Sequence, residues 1–371
     1  MARIACVEIL MVDLKPKVLR TDATQSFVSQ ETPLVRITDT DGAVGVGYTY
    51  TIGTGGPSVV ALLQNTLAPR LIGQEADAIQ AIWRDMLLST HATAVGAITS
   101  LAMAAVDTAL WDLRCKRANL PLWILAGGAR ESVPLYTTEG GWLHIEPNAL
   151  IEDALEVQAK GFLGSKIKIG KPHLSEDRAR LQALRTAVGP DYEIMVDANQ
   201  SFNLSEAIRR ARMLEDFNIG WFEEPLPADD VGAHAQLAAQ TTVPIAVGES
   251  MYSLSQFKDY LSAGAASVVQ ADVARVGGIT PWLKIAHLAE AYNIAICPHF
   301  LMELHVSLVC AVQNARWLEY IPQLDLIAPQ SMRIDAGRAY PSQEPGLGIN
   351  WDWDAIAHET VMSPVEIMEA A

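Results

Sequence analysis

The chain has 371 residues and a formal net charge of −16, with half of its residues apolar and 19% charged. That length exceeds a barrel domain of about 250 residues by enough for a smaller companion, and so apolar a composition suits a deep core rather than a disordered chain. The charge excludes a nucleic-acid partner, which needs clustered Lys and Arg, and requires any site for an acid to carry its own local positive charge.

In chain order, the first apolar stretch, in MARIACVEILMVDLKPK, is broken by Glu8 and Asp13, with no small-residue cleavage site behind it. It reads as a β-strand rather than a leader. No run approaches the roughly 18 apolar residues of a membrane span, so no membrane partner is expected. Cys6, Cys115, Cys297 and Cys310 lack C-x-x-C spacing, which signals neither zinc nor a disulfide framework. A reduced, cytoplasmic protein is the expectation. Thr40-Asp41-Gly42 is a turn between ETPLVRITD and AVGVGYTYT, giving an antiparallel meander. Helical spacing over 58–67, 77–88 and 94–117 completes an α+β unit that ends near Gly127. The glycine-rich YTIGTGGP at 50–57 lacks the lysine and the strand-helix context of a phosphate loop. It reads as a mobile loop over a barrel mouth, selecting substrate together with residues 21–30.

From Val133 the pattern becomes short apolar runs, each followed by a polar residue and a helical stretch. VPLYT, SKIKI, EIMVD, WFE, PIAVG, SVVQA, IAICP and WLE are eight such runs between 133 and 319. Eight consecutive βα units predict closure into a (β/α)8 TIM-type barrel; a doubly wound open sheet is the alternative. After Glu319 the irregular PSQEPGLGINWDWD reads as a tail folding back over the first domain. The expected division is an N-terminal α+β capping domain at 1–127, the barrel at 128–325 and a C-terminal segment at 326–371 packing on the cap.

Barrel strands aim their C-terminal ends at one mouth. Here those ends carry Lys166 and Lys168, Asp197, Glu223, Glu249, Asp272, His299 and Glu319. Asp197, Glu223 and Glu249 are separated by 26 residues each time, one βα repeat, so they converge. Three facing carboxylates repel one another unless a cation sits among them, and an all-oxygen set selects a hard ion such as Mg²⁺. Taken singly, each acid could instead be a helix N-cap. Glu224, the next residue, is expected on the opposite face with no metal role. Lys166 and Lys168 lie two apart and share a face, so a strand covered by helices turns both inward. A lysine beside a metal has its pKa pushed down and becomes a general base. Asp272 and His299 end neighbouring strands, where the carboxylate would fix the imidazole tautomer and raise its basicity. Glu319 is read either as a protonated hydrogen-bond donor to substrate or as a plain salt-bridge partner. Asn199, two residues beyond Asp197, is a substrate-contact candidate.

With KIK at Lys166 to Lys168, VDAN at Asp197, EEP at Glu223, GES at Glu249, QAD at Asp272, PHF at His299 and WLEY at Glu319, the sequence resembles the enolase superfamily and its mandelate racemase branch. In the muconate-lactonizing branch a lysine would stand where this chain has Asp272. The resemblance implies Mg²⁺ on Asp197, Glu223 and Glu249, with Lys168 and the His299–Asp272 dyad as bases on opposite faces of the substrate. It also implies that Lys166 neutralises the substrate carboxylate and that Glu319 stabilises an enediolate. YTTEGGWLH, QADVARVGGITPWLKIAHLAE and CPHFLMELHVSL further resemble the acid-sugar dehydratases of this branch, especially those acting on galactarate and talarate. The activity implied by this resemblance is Mg²⁺-dependent dehydration of an acid sugar to a 2-keto-3-deoxy acid, with His299 protonating the departing hydroxyl. The alternatives are a racemase or epimerase and a non-catalytic sugar-acid-binding protein. The family also implies a homo-oligomer.

Overall fold

The computed structural model describes residues 2–27, 29–329 and 332–368. Strands β1 (Ile4–Leu14), β4 (Gln30–Asp39) and β5 (Val44–Tyr48) form the expected meander, with the small β2 (Arg20–Thr21) and β3 (Ser26–Phe27) hairpin between the first two. The turn at 40–42 is stabilised by Asp39, whose carboxylate accepts the amides of Asp41 and Ala43. Helices α1 (Gly56–Leu62), α2 (Ala68–Leu71) and α3 (Ile79–Ser89) come next, then α4 (Ala97–Arg117). Nearly every residue of α4 from Thr99 to Leu113 is buried, because it is wedged between the capping sheet and the barrel; a helix apolar all round needs such a place. Gly45 and Gly47 allow it to lie directly on β5: a Cβ at either would stand 2.2 Å from the backbone of Ala109. At its other face Asp107 accepts the Thr280 amide at 2.9 Å, fixing the cap to the barrel.

After the single turn α5 (Leu122–Leu125), strands and helices alternate: β6 (Val133–Thr137), α6 (Pro147–Ala159), β7 (Gly164–Lys168), α7 (Leu174–Val188), β8 (Glu193–Asp197), α8 (Leu204–Leu214), β9 (Ile219–Glu223) and α9 (Val231–Ala238). The alternation continues through β10 (Ile245–Val247), α10 (Leu254–Ser262), β11 (Val268–Val269), α11 (Ile279–Ala291), β12 (Ala295–Ile296), α12 (Met302–Ala311) and β13 (Leu318–Tyr320). Successive strands from β6 to β12 pair in parallel, and β13 pairs with β6. The ring closes where Ile296 of β12 bridges Ala315, just ahead of β13. Tyr136, Met195, Trp221, Ala246, Val268, Cys297 and Trp317 pack inside it as an apolar floor. The eighth strand is followed by no barrel helix among the described residues, since Pro322, Pro341 and Pro345 interrupt the tail. The tail instead forms β14 (Arg333–Asp335), β15 (Arg338–Tyr340), which adds antiparallel to β6, α13 (Trp353–Glu359) and β16 (Val365–Met368), which completes the capping sheet beside β1. No described helix is long and apolar enough to cross a membrane.

Candidate active site

Register across three neighbouring strands builds one half of the mouth. Lys168 of β7 pairs with Asp197 of β8, which pairs with Glu223 of β9, so three strand ends reach the same height. Glu249 lies just beyond β10. Carboxylate oxygens of Asp197, Glu223 and Glu249 come within 4.8 Å of one another. Burial and the like charge of Asp197 push the Glu223 carboxyl up to about 7, the mark of a cluster short of positive charge. An all-oxygen set this close fits a hard divalent cation.

Both lysines point inward, as their two-residue spacing predicts. Lys166 Nζ, on a residue 1% exposed, lies 2.8 Å from Glu223 and 2.9 Å from Glu319. Lys168 Nζ is 2.5 Å from Asp197 and 2.8 Å from the Asn199 side-chain oxygen. Burial favours the neutral form of each, but these carboxylates outweigh it and hold both lysines above their ordinary range. Ion pairs with acids on neighbouring strands set this direction; the lowered lysine pKa expected from sequence applies to the amine beside a bound cation. Asn199 lines the cavity from a left-handed backbone, φ 42°, beyond the end of β8.

Across the ring stands the dyad. His299 Nδ1 lies 2.9 Å from Asp272 Oδ2; a carboxylate only accepts, so Nδ1 carries the proton and Nε2 remains, 3.5 Å from Glu249. Burial disfavours the imidazolium, but Glu249 and Asp272 raise the His299 pKa. Asp272 is itself pushed up by burial, yet the His299 hydrogen bond brings it down to about 2. Tyr50 and Arg275 complete this side, and neither was singled out from sequence. Tyr50 donates its hydroxyl to the same Asp272 oxygen at 2.7 Å. Arg275 donates to Tyr50 at 3.2 Å and to the Glu249 carbonyl at 3.0 Å. Arg275 sits three residues past Asp272, a signal that could have been noticed; Tyr50 offered none beyond its place before the glycine-rich loop.

The contacts of Glu319 favour the salt-bridge side of its two readings: burial opposes its charge, but Lys166 holds its carboxyl well below the usual range, and it accepts from Thr138 at 2.6 Å and from the Phe300 amide at 2.8 Å. Glu224 is buried and is not part of the triad. The strand ends at Glu223, Glu224 takes φ 35°, and its buried carboxyl accepts from the Ser250 amide and hydroxyl at 3.0 and 3.1 Å, supporting the loop that carries Glu249. The segment at 50–57, read as mobile, is tied down by Glu31, which accepts from Thr51 at 2.5 Å and from the Gly56 amide at 2.8 Å. Asp22, Gln25, Tyr50 and Ile52 of the cap line the cavity together with the lysines, Glu249, Arg275, His299 and Glu319.

Residues 4–127 match the model for the mandelate racemase / muconate lactonizing enzyme N-terminal domain, and 149–355 the enolase C-terminal domain-like model. The chain is 38% identical to an L-talarate/galactarate dehydratase from Salmonella typhimurium, over 85% of this chain and 79% of that one. It is 36% identical to a 3,6-anhydro-alpha-L-galactonate cycloisomerase from Streptomyces coelicolor, over 92% and 95%. Among solved structures, L-talarate dehydratase from Polaromonas sp. JS666, complexed with Mg and L-glucarate, superposes with a TM-score of 0.94 at 34% identity, covering 100% of both chains.

Proposed function

The chain belongs to the mandelate racemase / muconate lactonizing enzyme family of the enolase superfamily, and on that premise we propose that it is a Mg²⁺-dependent dehydratase of acid sugars. The observation that carries the reading is the pairing of two opposed proton-transfer groups, Lys168 and His299, around the Asp197–Glu223–Glu249 triad. Asp197, Glu223 and Glu249 would hold Mg²⁺. When bound, the ion would supply Lewis-acid charge for an oxyanion and would compete with Lys168 for Asp197, so that the Lys168 amine could serve as a base.

The remaining steps belong to the chain's own residues. Lys166, anchored by Glu319, faces the substrate carboxylate and meets the charge that develops there as the α-proton leaves. Lys168 takes that proton, giving an enediolate. His299, held at Nδ1 by Asp272 and charged as the imidazolium that Glu249 and Asp272 favour, gives its Nε2 proton to the β-hydroxyl as that hydroxyl's bond to carbon breaks. Water departs and the resulting enol tautomerises to a 2-keto-3-deoxy acid. Asn199 positions the Lys168 ammonium and offers its amide to substrate. Glu319 acts here as the counter-ion of Lys166 rather than as a proton donor.

A second reading, racemisation or epimerisation at the α-carbon, is favoured by the same two opposed bases, since a 1,1-proton transfer needs one on each face. Incubation of the Mg²⁺-loaded protein with mono- and dicarboxylic sugar acids in D₂O separates the two. Formation of 2-keto acid supports dehydration, α-deuterium exchange without it supports epimerisation, and neither removes both. We further propose the division into cap (1–127), barrel (128–325) and returning segment (326–371), a homo-oligomer, and a cytoplasmic location consistent with four free cysteines.

A further inference from the structure

An acid sugar carries a carboxylate at one end, as an aldonate, or at both, as an aldarate, and the charge inventory of the cavity distinguishes them. Asp22, Asp197, Glu223, Glu249, Asp272 and Glu319 line the mouth or converge on it, against three fixed cations, Lys166, Lys168 and Arg275. Each cation is also engaged. The lysines pair with Asp197, Glu223 and Glu319, and Arg275 lies 3.4 Å from the Glu249 carboxylate as well as bonding its carbonyl. Arg20, over the Phe300 ring, is held by Glu139 at 2.8 Å, Gln323 at 3.1 Å and the Pro322 carbonyl at 3.2 Å.

The rest of the wall includes Asp22, Gln25, Ile52 and Ile321, neutral or acidic throughout. Asp22 is fixed in place, 8% exposed, with Oδ1 accepting from the Thr24 amide and hydroxyl at 2.7 and 2.9 Å and from the Gln25 amide at 2.8 Å. Such a wall can exchange hydrogen bonds with hydroxyls and pack against carbon. It cannot compensate a desolvated anion, and Asp22 repels one.

Resting on the dehydratase reading, the geometry points to an aldonate as the substrate, with its one carboxylate at the triad and Lys166 and a neutral, hydroxylated end against Asp22 and Gln25. The second carboxylate of an aldarate finds no free cation among the described residues of this cavity. Specificity here lies in the penalty placed on the wrong ligand as much as in contacts to the right one.

The test uses the Mg²⁺-loaded protein and configuration-matched pairs: galactonate with galactarate, gluconate with glucarate, mannonate with mannarate. Calorimetric binding and keto-acid formation are measured for each. In the pair that binds most tightly, the aldonate should bind at least about tenfold better than the aldarate, the size expected of one unpaired like charge. Asp22→Asn should narrow that gap by strengthening the aldarate. Ile52→Lys, which supplies the missing cation without disturbing the Asp22 loop, should narrow it too and guards against a misfolded first variant. Tighter binding of the aldarate in every pair, a gap unmoved by both variants, or no binding of any compound overturns the inference. Binding decides the charge argument and turnover decides the reaction: an aldonate bound selectively but never dehydrated upholds the first and removes the second.

Discussion

On the lysine side of the mouth, Lys166 and Lys168 meet acids on the neighbouring strands β8 and β9 and on β13, all within the barrel. On the histidine side, His299 reaches Asp272, which also accepts Tyr50 of the capping domain, 222 residues earlier in the chain. One side is therefore set by strand register, which any correctly closed barrel supplies. The other also depends on how the cap is seated, because Tyr50 and Arg275 join Asp272 and Glu249 across the domain junction. Proton transfer on the two faces of the substrate should accordingly respond differently to damage at that junction.

The largest effect should come from the triad that both sides share. Chelation of Mg²⁺ should abolish turnover, and Glu249→Gln should lower kcat/KM by about 10³-fold while raising sensitivity to chelator, since a metal supplies several kcal/mol of transition-state stabilisation. A variant with unchanged chelator sensitivity would remove Glu249 from the metal. Next, Asp272→Asn should cost about 10²- to 10⁴-fold in steps that need His299, by releasing its tautomer, with Lys168-dependent exchange retained. Equal loss on both faces would break the comparison.

Tyr50→Phe sharpens it further. Losing one hydrogen bond to a charged carboxylate should slow His299-dependent exchange by about tenfold and leave Lys168-dependent exchange within about twofold, read as the ratio of the two rates on one sample. The smallest effect is on stability. Asp272 has a folded pKa depressed to about 2, so its contribution is present above the unfolded value near 4 and lost as pH falls from about 4 to about 2. The shift corresponds to about 2 kcal/mol. Thermal melting should then show wild type above Asp272→Asn by a few degrees at pH 6, and the gap closing toward pH 3.

The lysine side was legible in the sequence because its information is periodic. One βα repeat separates each acid, a two-residue step turns both lysines inward, and parallel strands covered by helices leave continuous apolar runs. The dyad was legible for the same reason, as Asp272 and His299 end adjacent strands. What periodicity does not carry was missed. Glu224 lies past the end of its strand, where alternation no longer assigns a face. The choice between the two readings of Glu319 was not legible either, since its charge follows neighbours brought close by barrel closure. Tyr50, Asp22 and Ile52 reach the mouth only because α4 docks the cap on the barrel, through glycines in β5 and the Asp107–Thr280 contact. Nothing local to residues 20–52 marks that docking.

The most direct test of the two-sided account is solvent-deuterium incorporation at the α-carbon of the best substrate and of its α-epimer, measured for Lys168→Ala and His299→Asn with Mg²⁺ affinity tracked in parallel. The account predicts that each variant loses exchange with one epimer, keeps it with the other and binds Mg²⁺ as the wild type does. Full exchange with both epimers in both variants would contradict it.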